Sequence, residues 1–389
     1  MAESRQQLVI HSGAYKTATS AVQTILNKNA NVLLREHGIL IPRTFSRPLQ
    51  GVDEEGARSH NQLGHVVNKF RRVEDGAEEE LHAGLVKLAD EIRASGAPRA
   101  VISTEMLTGI DEPSATVIRD SLREFDLRVV YSVRRVDEYV ESLARQRLKF
   151  KNVIQKVNPP YETPFTGLLS WAKALGDAAM DVLVYGHPSR RTAVFNTLLA
   201  IGIEDPAGLV GDNPVLNPSL QADGLLLRKA LTRFAAKIGH DVSRSGLREA
   251  IVRRAYRLEA RLEKLKPLLV YGKAERLAIF DATLLSHEDI ARRFLSPEQS
   301  EIFLARSAIE ALDNRKPARW EEYEVLSVVN ELADFALEHL STIAPRGHAL
   351  DRLRKEFRVA RRRNAEFRDR IKELEAQLGA DTPPEKTSA

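Results

Sequence analysis

Two stretches of this chain carry residue types at spacings suited to holding an anionic substrate. The first is His11-Ser12-Gly13-Ala14-Tyr15-Lys16-Thr17-Ala18-Thr19-Ser20. It joins an apolar run, Leu8–His11, to a segment with helical spacing. Small residues let a backbone wrap closely round an anion, and a helix N-terminus adds unpaired N–H groups and a partial positive charge. Lys16 brings a full charge, and Thr17, Thr19 and Ser20 bring hydroxyl donors. This is not a Walker A loop, because Tyr15 stands where a second Gly is needed. The second stretch runs from Val129 to Ser142. Arg134 ends an apolar strand pattern, and Ser142 follows eight residues later, two turns into the next helix. Both can meet one phosphate across that junction, Arg supplying charge and a fork of donors. On the residues alone the plainer readings stay open: a strand-to-helix turn with a surface Lys, and Arg134 and Arg135 as surface charges.

Elements must position these residues. Short apolar runs predict strands at Leu8–His11, Gly38–Pro42, Ala100–Glu105, Arg128–Val133 and Val182–Tyr185. Helical spacing predicts helices over Thr17–Leu34, Leu81–Ala94, Val117–Glu124 and Val136–Lys149. Residues 43–62 are polar and predict a long loop of the kind that covers sites. Alternating strands and helices imply an α/β fold, a parallel sheet with helices on both faces. Such sheets bind ligands beyond the strand C-termini. From about residue 220 the pattern is nearly all helical, with segments at Leu225–Ile238, Leu247–Leu268, Pro297–Leu312 and Trp320–Ile343. The expected organisation is a core over 1–225, a helical region over 226–345 that completes the domain or the acceptor site, a coiled-coil helix over 346–379 and a disordered tail over 380–389.

Bulk composition excludes several classes. The 389 residues include no Cys, which removes disulfide scaffolds, Cys-type zinc sites and thiol catalysis. A net charge of +4 suits an enzyme for polyanionic nucleotides without calling for a nucleic-acid partner. The start, Met1–Gln7, is polar and no apolar run reaches membrane-span length, so a soluble, cytoplasmic protein is expected.

Together the two stretches resemble the sulfotransferase family that uses 3′-phosphoadenosine 5′-phosphosulfate (PAPS). That family's first loop, Pro-Lys-Thr/Ser-Gly-Thr-Thr/Ser, stands here as Tyr15-Lys16-Thr17-Ala18-Thr19-Ser20, and its Arg and Ser stand as Arg134 and Ser142. Further matches resemble the bacterial, carbohydrate-acting branch: His11-Ser12-Gly13, Gln23, the run Glu36–Arg43, Ser103-Thr104-Glu105, the segment from Arg134 to Lys149, and Asn217–Leu220. The resemblance spans roughly residues 6–225. Tyr15 replaces the usual Pro, and Ala18 the usual Gly. An Ala there is comfortable in a helical backbone but strained at a positive φ.

The resemblance implies a P-loop-like sheet, a PAPS donor, a 3′-phosphoadenosine 5′-phosphate (PAP) product and no metal. It implies that Lys16 stabilises the bridging oxygen, that Thr17, Ala18, Thr19 and Ser20 hold the 5′-phosphate, and that Arg134 and Ser142 hold the 3′-phosphate. The acceptor would be a carbohydrate or lipid-linked glycan hydroxyl and needs a base. Glu105, at a predicted strand end, and His60, at the end of the long loop, are the candidates, with a strand-end cap as the plainer role of Glu105. His11, ending a buried strand, reads as structural. A P-loop nucleotide kinase is the rival enzyme, and a non-catalytic PAP-binding scaffold the rival class.

Leu350, Leu353, Phe357, Ala360, Asn364, Phe367, Ile371, Leu374 and Leu378 alternate at 3–4 spacing, a coiled-coil seam that suits a homodimer through 350–378. Residues 346–378 hold 11 Lys and Arg against 6 Asp and Glu. That basic excess leaves open an anionic membrane or polysaccharide contact, or a helix docked on its own domain.

Overall fold

The computed structural model describes residues 5–14, 17–48, 58–151, 164–185, 190–210 and 270–312. The chain divides into two units, and one of them, Met1–Ser219 with Leu269–Pro317, holds every described residue. The predicted helices at 225–238, 247–268 and 320–343, and the seam at 350–378, lie outside the described residues.

Along the chain come β1 (Gln7–Gly13), α1 (Thr19–Lys28), α2 (Ala30–His37), β2 (Ile39–Leu40), β3 (Arg47–Pro48), β4 (Arg58–Ser59), α3 (Asn61–Arg71), α4 (Ala77–Ser95) and β5 (Arg99–Ser103). Then follow α5 (Glu112–Ser121), β6 (Asp126–Val133), α6 (Val136–Lys151), α7 (Thr166–Leu175), β7 (Met180–Val184), α8 (Arg190–Ile201) and α9 (Ala207–Val210). A last block holds α10 (Lys273–Ala282), α11 (Leu284–Phe294), α12 (Pro297–Phe303) and α13 (Ser307–Glu310). Five strands form one parallel sheet in the order β2-β5-β1-β6-β7, with β1 at its centre. The α/β class and the parallel sheet expected from the alternation are what the chain forms.

The inner strands bury both faces, so their middles read as short apolar runs, Leu8–Ile10, Ala100–Ile102 and Val129–Tyr131, while the edge strand β7 carries the half-buried Asp181, paired with Arg128 of β6. On one face Val9, Val101 and Val130 pack with Val22, Ile25 and Leu26 of α1 and with Val194, Leu198 and Ile201 of α8. Leu8 and Ile10 point the other way and are equally buried. Each such aliphatic side chain contributes about 1.5–3 kcal/mol on leaving water. The last block packs on the same body, α10 on α6 and α11 and α12 on β7.

Three expectations change in detail. The helix expected over Thr17–Leu34 is two, α1 and α2, divided at Asn29. There Asn27 and Asn29 turn their side-chain amides back onto the carbonyls of Gln23 and Ile25, at 2.8 and 2.9 Å. Such back-bonding competes with a continuous helix. The loop over 43–62 contains a short antiparallel ladder, β3 with β4, and α3 already begins at Asn61. The helix over Pro297–Leu312 breaks after Phe303 and resumes at Ser307. No described helix is long and apolar enough to cross a membrane.

Candidate functional site

Because all five strands run parallel, their C-termini share one edge of the sheet. The residues that follow β1, β5, β6 and β7 therefore meet there. The register makes the meeting close: Gly13 pairs with Ser132, and Ala14 N–H donates to Ser132 O at 2.9 Å. Gly13 is required by space. A Cβ there would stand 2.8 Å from Ser132 O and 2.9 Å from Ser132 N and Cβ. Arg134 lies two residues beyond Ser132. Strand rise and spacing then put the Arg134 backbone about 8 Å from that of Gly13.

Lys16 and Tyr15 lie outside the described residues. Of the rest of the loop, Thr17 and Thr19 are buried and Ser20 is half-buried. Thr17 Oγ1 donates to Ala14 O at 2.8 Å, so its hydroxyl closes the loop on itself. Ala18 caps α1 with φ 64 and ψ 16, the left-handed region. That is the strained case, and it falls where the resemblance puts a Gly. No acidic residue lies in the first turn of α1 itself, so nothing within the helix offsets the partial positive charge at its N-terminus.

Glu105 sits in the turn just after β5 and is half-buried. This turn is tied to β1. The Thr108 hydroxyl lies between Gly13 O and Glu105 O, and Thr108 N–H donates to Glu105 O at 3.3 Å. Glu105 and the first loop thus share one hinge point.

His60 is fully engaged. Nδ1 accepts the Ser103 N–H at 3.1 Å, and Nε2 faces Pro42 O at 2.8 Å. A carbonyl only accepts, so Nε2 carries the proton and the ring is neutral. Burial pushes its pKa below the usual value. In this arrangement neither nitrogen has a proton site left for a substrate. Its role is to staple the long loop to β5. Glu91 supports the same loop by accepting from Arg43 N at 2.6 Å, Thr44 N at 2.9 Å and Thr44 Oγ1 at 2.7 Å.

His11 faces Ser103 Oγ at 2.8 Å, and Gln23 Nε2 donates to Ser103 O at 3.3 Å. His11 Nε2 and Gln23 Oε1 are buried with no partner among the described residues. Burial pushes the His11 pKa down to about 4.

At the second stretch Arg134 and Arg135 differ in burial while sharing the Glu138 carboxylate. The Arg134 guanidinium lies 5.0 Å from the Tyr185 ring centre, at the end of β7, and its Nε reaches Glu138 Oε2 at 3.2 Å. Ser142 is half-buried two turns along α6. A small cavity of about 60 Å³ adjoins, lined by Ser132, Leu183, Tyr185, Asn196, Thr197 and Gln299 among others. Arg135 reaches the other oxygen of the same Glu138 carboxylate at 3.4 Å but is itself 5% exposed, which removes it from the surface charges. It pairs with the fully buried Asp137 at 3.0 Å.

Among the described residues, the edge thus gathers the end of β1, the Glu105 turn and Arg134, whose guanidinium faces the Tyr185 ring and pairs with Glu138, while Ser142 lies two turns along α6. Sequence reasoning missed Tyr185, Asp137, Arg276 and His287. Tyr185 ended a predicted strand, which was its only signal. The others carried none, since their partners lie far along the chain. In comparison with known proteins, no family model matches this chain, and no curated protein or solved structure matches it.

Proposed function

We propose that this chain is a sulfotransferase that moves the sulfuryl group of PAPS to a hydroxyl on a carbohydrate or lipid-linked glycan. The observation that carries the reading is the β1–β6 register. It pairs Gly13, which leads into the first loop, with Ser132, two residues before Arg134, and this supports a reading in which a 5′-phosphate and a 3′-phosphate of one nucleotide are held together. The open first turn of α1 receives the 5′-phosphate through the backbone N–H groups of Thr17, Ala18, Thr19 and Ser20 and the hydroxyls of Thr19 and Ser20, the Thr17 hydroxyl being engaged by Ala14 O. Arg134 and Ser142 receive the 3′-phosphate.

In the transfer, the acceptor oxygen forms a bond to sulfur as the bond from sulfur to the bridging phosphate oxygen breaks. Lys16 stabilises the charge that develops on that oxygen, which leaves with PAP. Glu105 takes the acceptor's proton. His60 is set aside as base because both its nitrogens are engaged. Positioning and electrostatic stabilisation supply most of the acceleration, as in phosphoryl transfer, and the scheme needs no metal.

Calorimetric titration of the full chain with PAP and with ATP tests the donor, and a glycan screen with labelled PAPS tests the transfer. PAP binding with transfer to a glycan supports the reading. ATP binding without PAP binding overturns it in favour of a nucleotide kinase. PAP binding with no turnover on any acceptor leaves a binding scaffold.

A further inference from the structure

The helix that carries Ser142 is gripped by residues more than 120 positions downstream. α6 begins directly after Arg134 and Arg135, and its first N–H, on Val136, donates to His287 Nε2 at 3.1 Å. His287 Nδ1 faces Thr283 O at 2.7 Å. A carbonyl cannot donate, so Nδ1 holds the proton and Nε2 is left as the acceptor that Val136 requires. The ring is fully buried among Phe165, Phe280 and Phe303, with centroids 5.4, 5.2 and 5.0 Å away.

The next turns are held as firmly. Asp137 is fully buried and takes Arg135 Nε on one oxygen at 3.0 Å and Arg276 Nε on the other at 3.0 Å. Arg135 also donates to Ala305 O at 2.7 Å. One turn on, the Glu141 carboxylate, 6% exposed, accepts the N–H groups of Val270 and Tyr271 at 3.1 and 3.0 Å. His287, Arg276 and the 270–271 backbone thus grip the first two turns of α6.

We infer that His287 and Arg276 are positioning residues for the second anion site, fixing α6 so that Arg134 and Ser142 present a preset pair to the nucleotide 3′-phosphate. The inference rests on the sulfotransferase reading and assigns its 3′-phosphate site a support from residues more than 120 positions downstream, beside the local pairs of Arg134 with Glu138 and Arg135 with Asp137. A helix end freed from its cap can tilt, and donors aimed at one phosphate lose alignment with small displacements. Catalysis at the sulfur is remote from this support, so the effect falls on donor binding.

The test uses the full chain with PAP titration and steady-state kinetics. His287→Leu keeps apolar volume in the aromatic cage but removes the acceptor. His287→Gln restores an acceptor for Val136. The Leu variant should bind PAP about tenfold more weakly, the loss of roughly one charged hydrogen bond's alignment, and raise KM for PAPS with kcat nearly unchanged, while the Gln variant recovers most of the affinity. Arg276→Lys keeps the charge, loses the fork, and should weaken PAP severalfold; it serves where the Leu variant does not fold. A structural role alone would lower thermal stability and leave PAP affinity at saturable, folded temperatures unmoved. Wild-type affinity in a folded His287→Leu or Arg276→Lys protein overturns this inference. Failure of the wild type itself to bind PAP overturns the parent reading instead.

Discussion

Replacing Gly13 by Ala puts a methyl group where β1 and β6 approach most closely. The new Cβ would lie 2.8 Å from Ser132 O and 2.9 Å from Ser132 N and Cβ. Ordinary carbon contacts need about 3.5 Å or more, so the strands must part by roughly half an ångström or the backbone must twist. Overpacking of this kind costs about 1–3 kcal/mol. The Ala14–Ser132 hydrogen bond, at 2.9 Å, sits at the same point, and weakening it adds about 1 kcal/mol. Ala restricts the unfolded chain and returns about 0.4–1 kcal/mol. The net expectation is a loss of about 1–3 kcal/mol, read as a lower urea midpoint at unchanged slope. The same displacement moves the first loop away from Arg134, so PAP affinity should fall more than stability alone explains. A Gly13→Ala protein with wild-type midpoint and wild-type PAP affinity would refute both the close approach and the coupling of the two anion sites through it.

Further expectations concern single groups. Arg134→Ala should weaken PAP binding by about 10- to 100-fold, the loss of charge-assisted hydrogen bonds, with Arg134→Lys intermediate by calorimetry. Glu105→Gln should lower kcat by about 10²- to 10⁴-fold while PAP affinity holds; unchanged turnover would remove Glu105 as base. Ala18→Gly relieves a left-handed φ of 64, worth about 1–2 kcal/mol, against about 0.4–1 kcal/mol of added unfolded-chain freedom, so the urea midpoint should stay level or rise. A clear fall would contradict that backbone geometry. His11 is held neutral in the fold, with its pKa down at about 4 against an ordinary 6.5, so the unfolded chain binds the proton first. Its contribution to stability is intact above pH 6.5 and drains as pH falls toward 4, by up to about 3 kcal/mol for a shift of this size. His11→Gln should flatten that part of the stability curve, and an unchanged curve would count against the burial of a neutral ring.

Much of the sheet was legible because its cause is local. Buried parallel strands are unbroken apolar runs, and Leu8–His11, Ala100–Ser103 and Arg128–Val133 announce themselves as such. Strand ends were less visible: β1 continues through Ser12 and Gly13, where pairing with Tyr131 and Ser132 outweighs the polar composition. His60 shows the limit for the site. Its type and its place at a loop end suited a base, yet the ring is consumed by Ser103 N–H and Pro42 O, contacts 43 and 18 residues away. Arg135 shows the same for charge. Beside Arg134 it reads as another surface cation, but Asp137 and Ala305 O draw it inside.

The sequence by itself determined the alternation of strand and helix and the order along the chain of the residues proposed to bind anions, because hydrophobic period and residue chemistry are local properties. Only the tertiary structure decided which of those residues meet. The β1–β6 register, the engagement of His60 and the grip of His287 and Arg276 on α6 each depend on partners distant in the chain. No local pattern encodes such a pairing, since it arises from packing that minimises buried, unpaired polar groups across the whole unit.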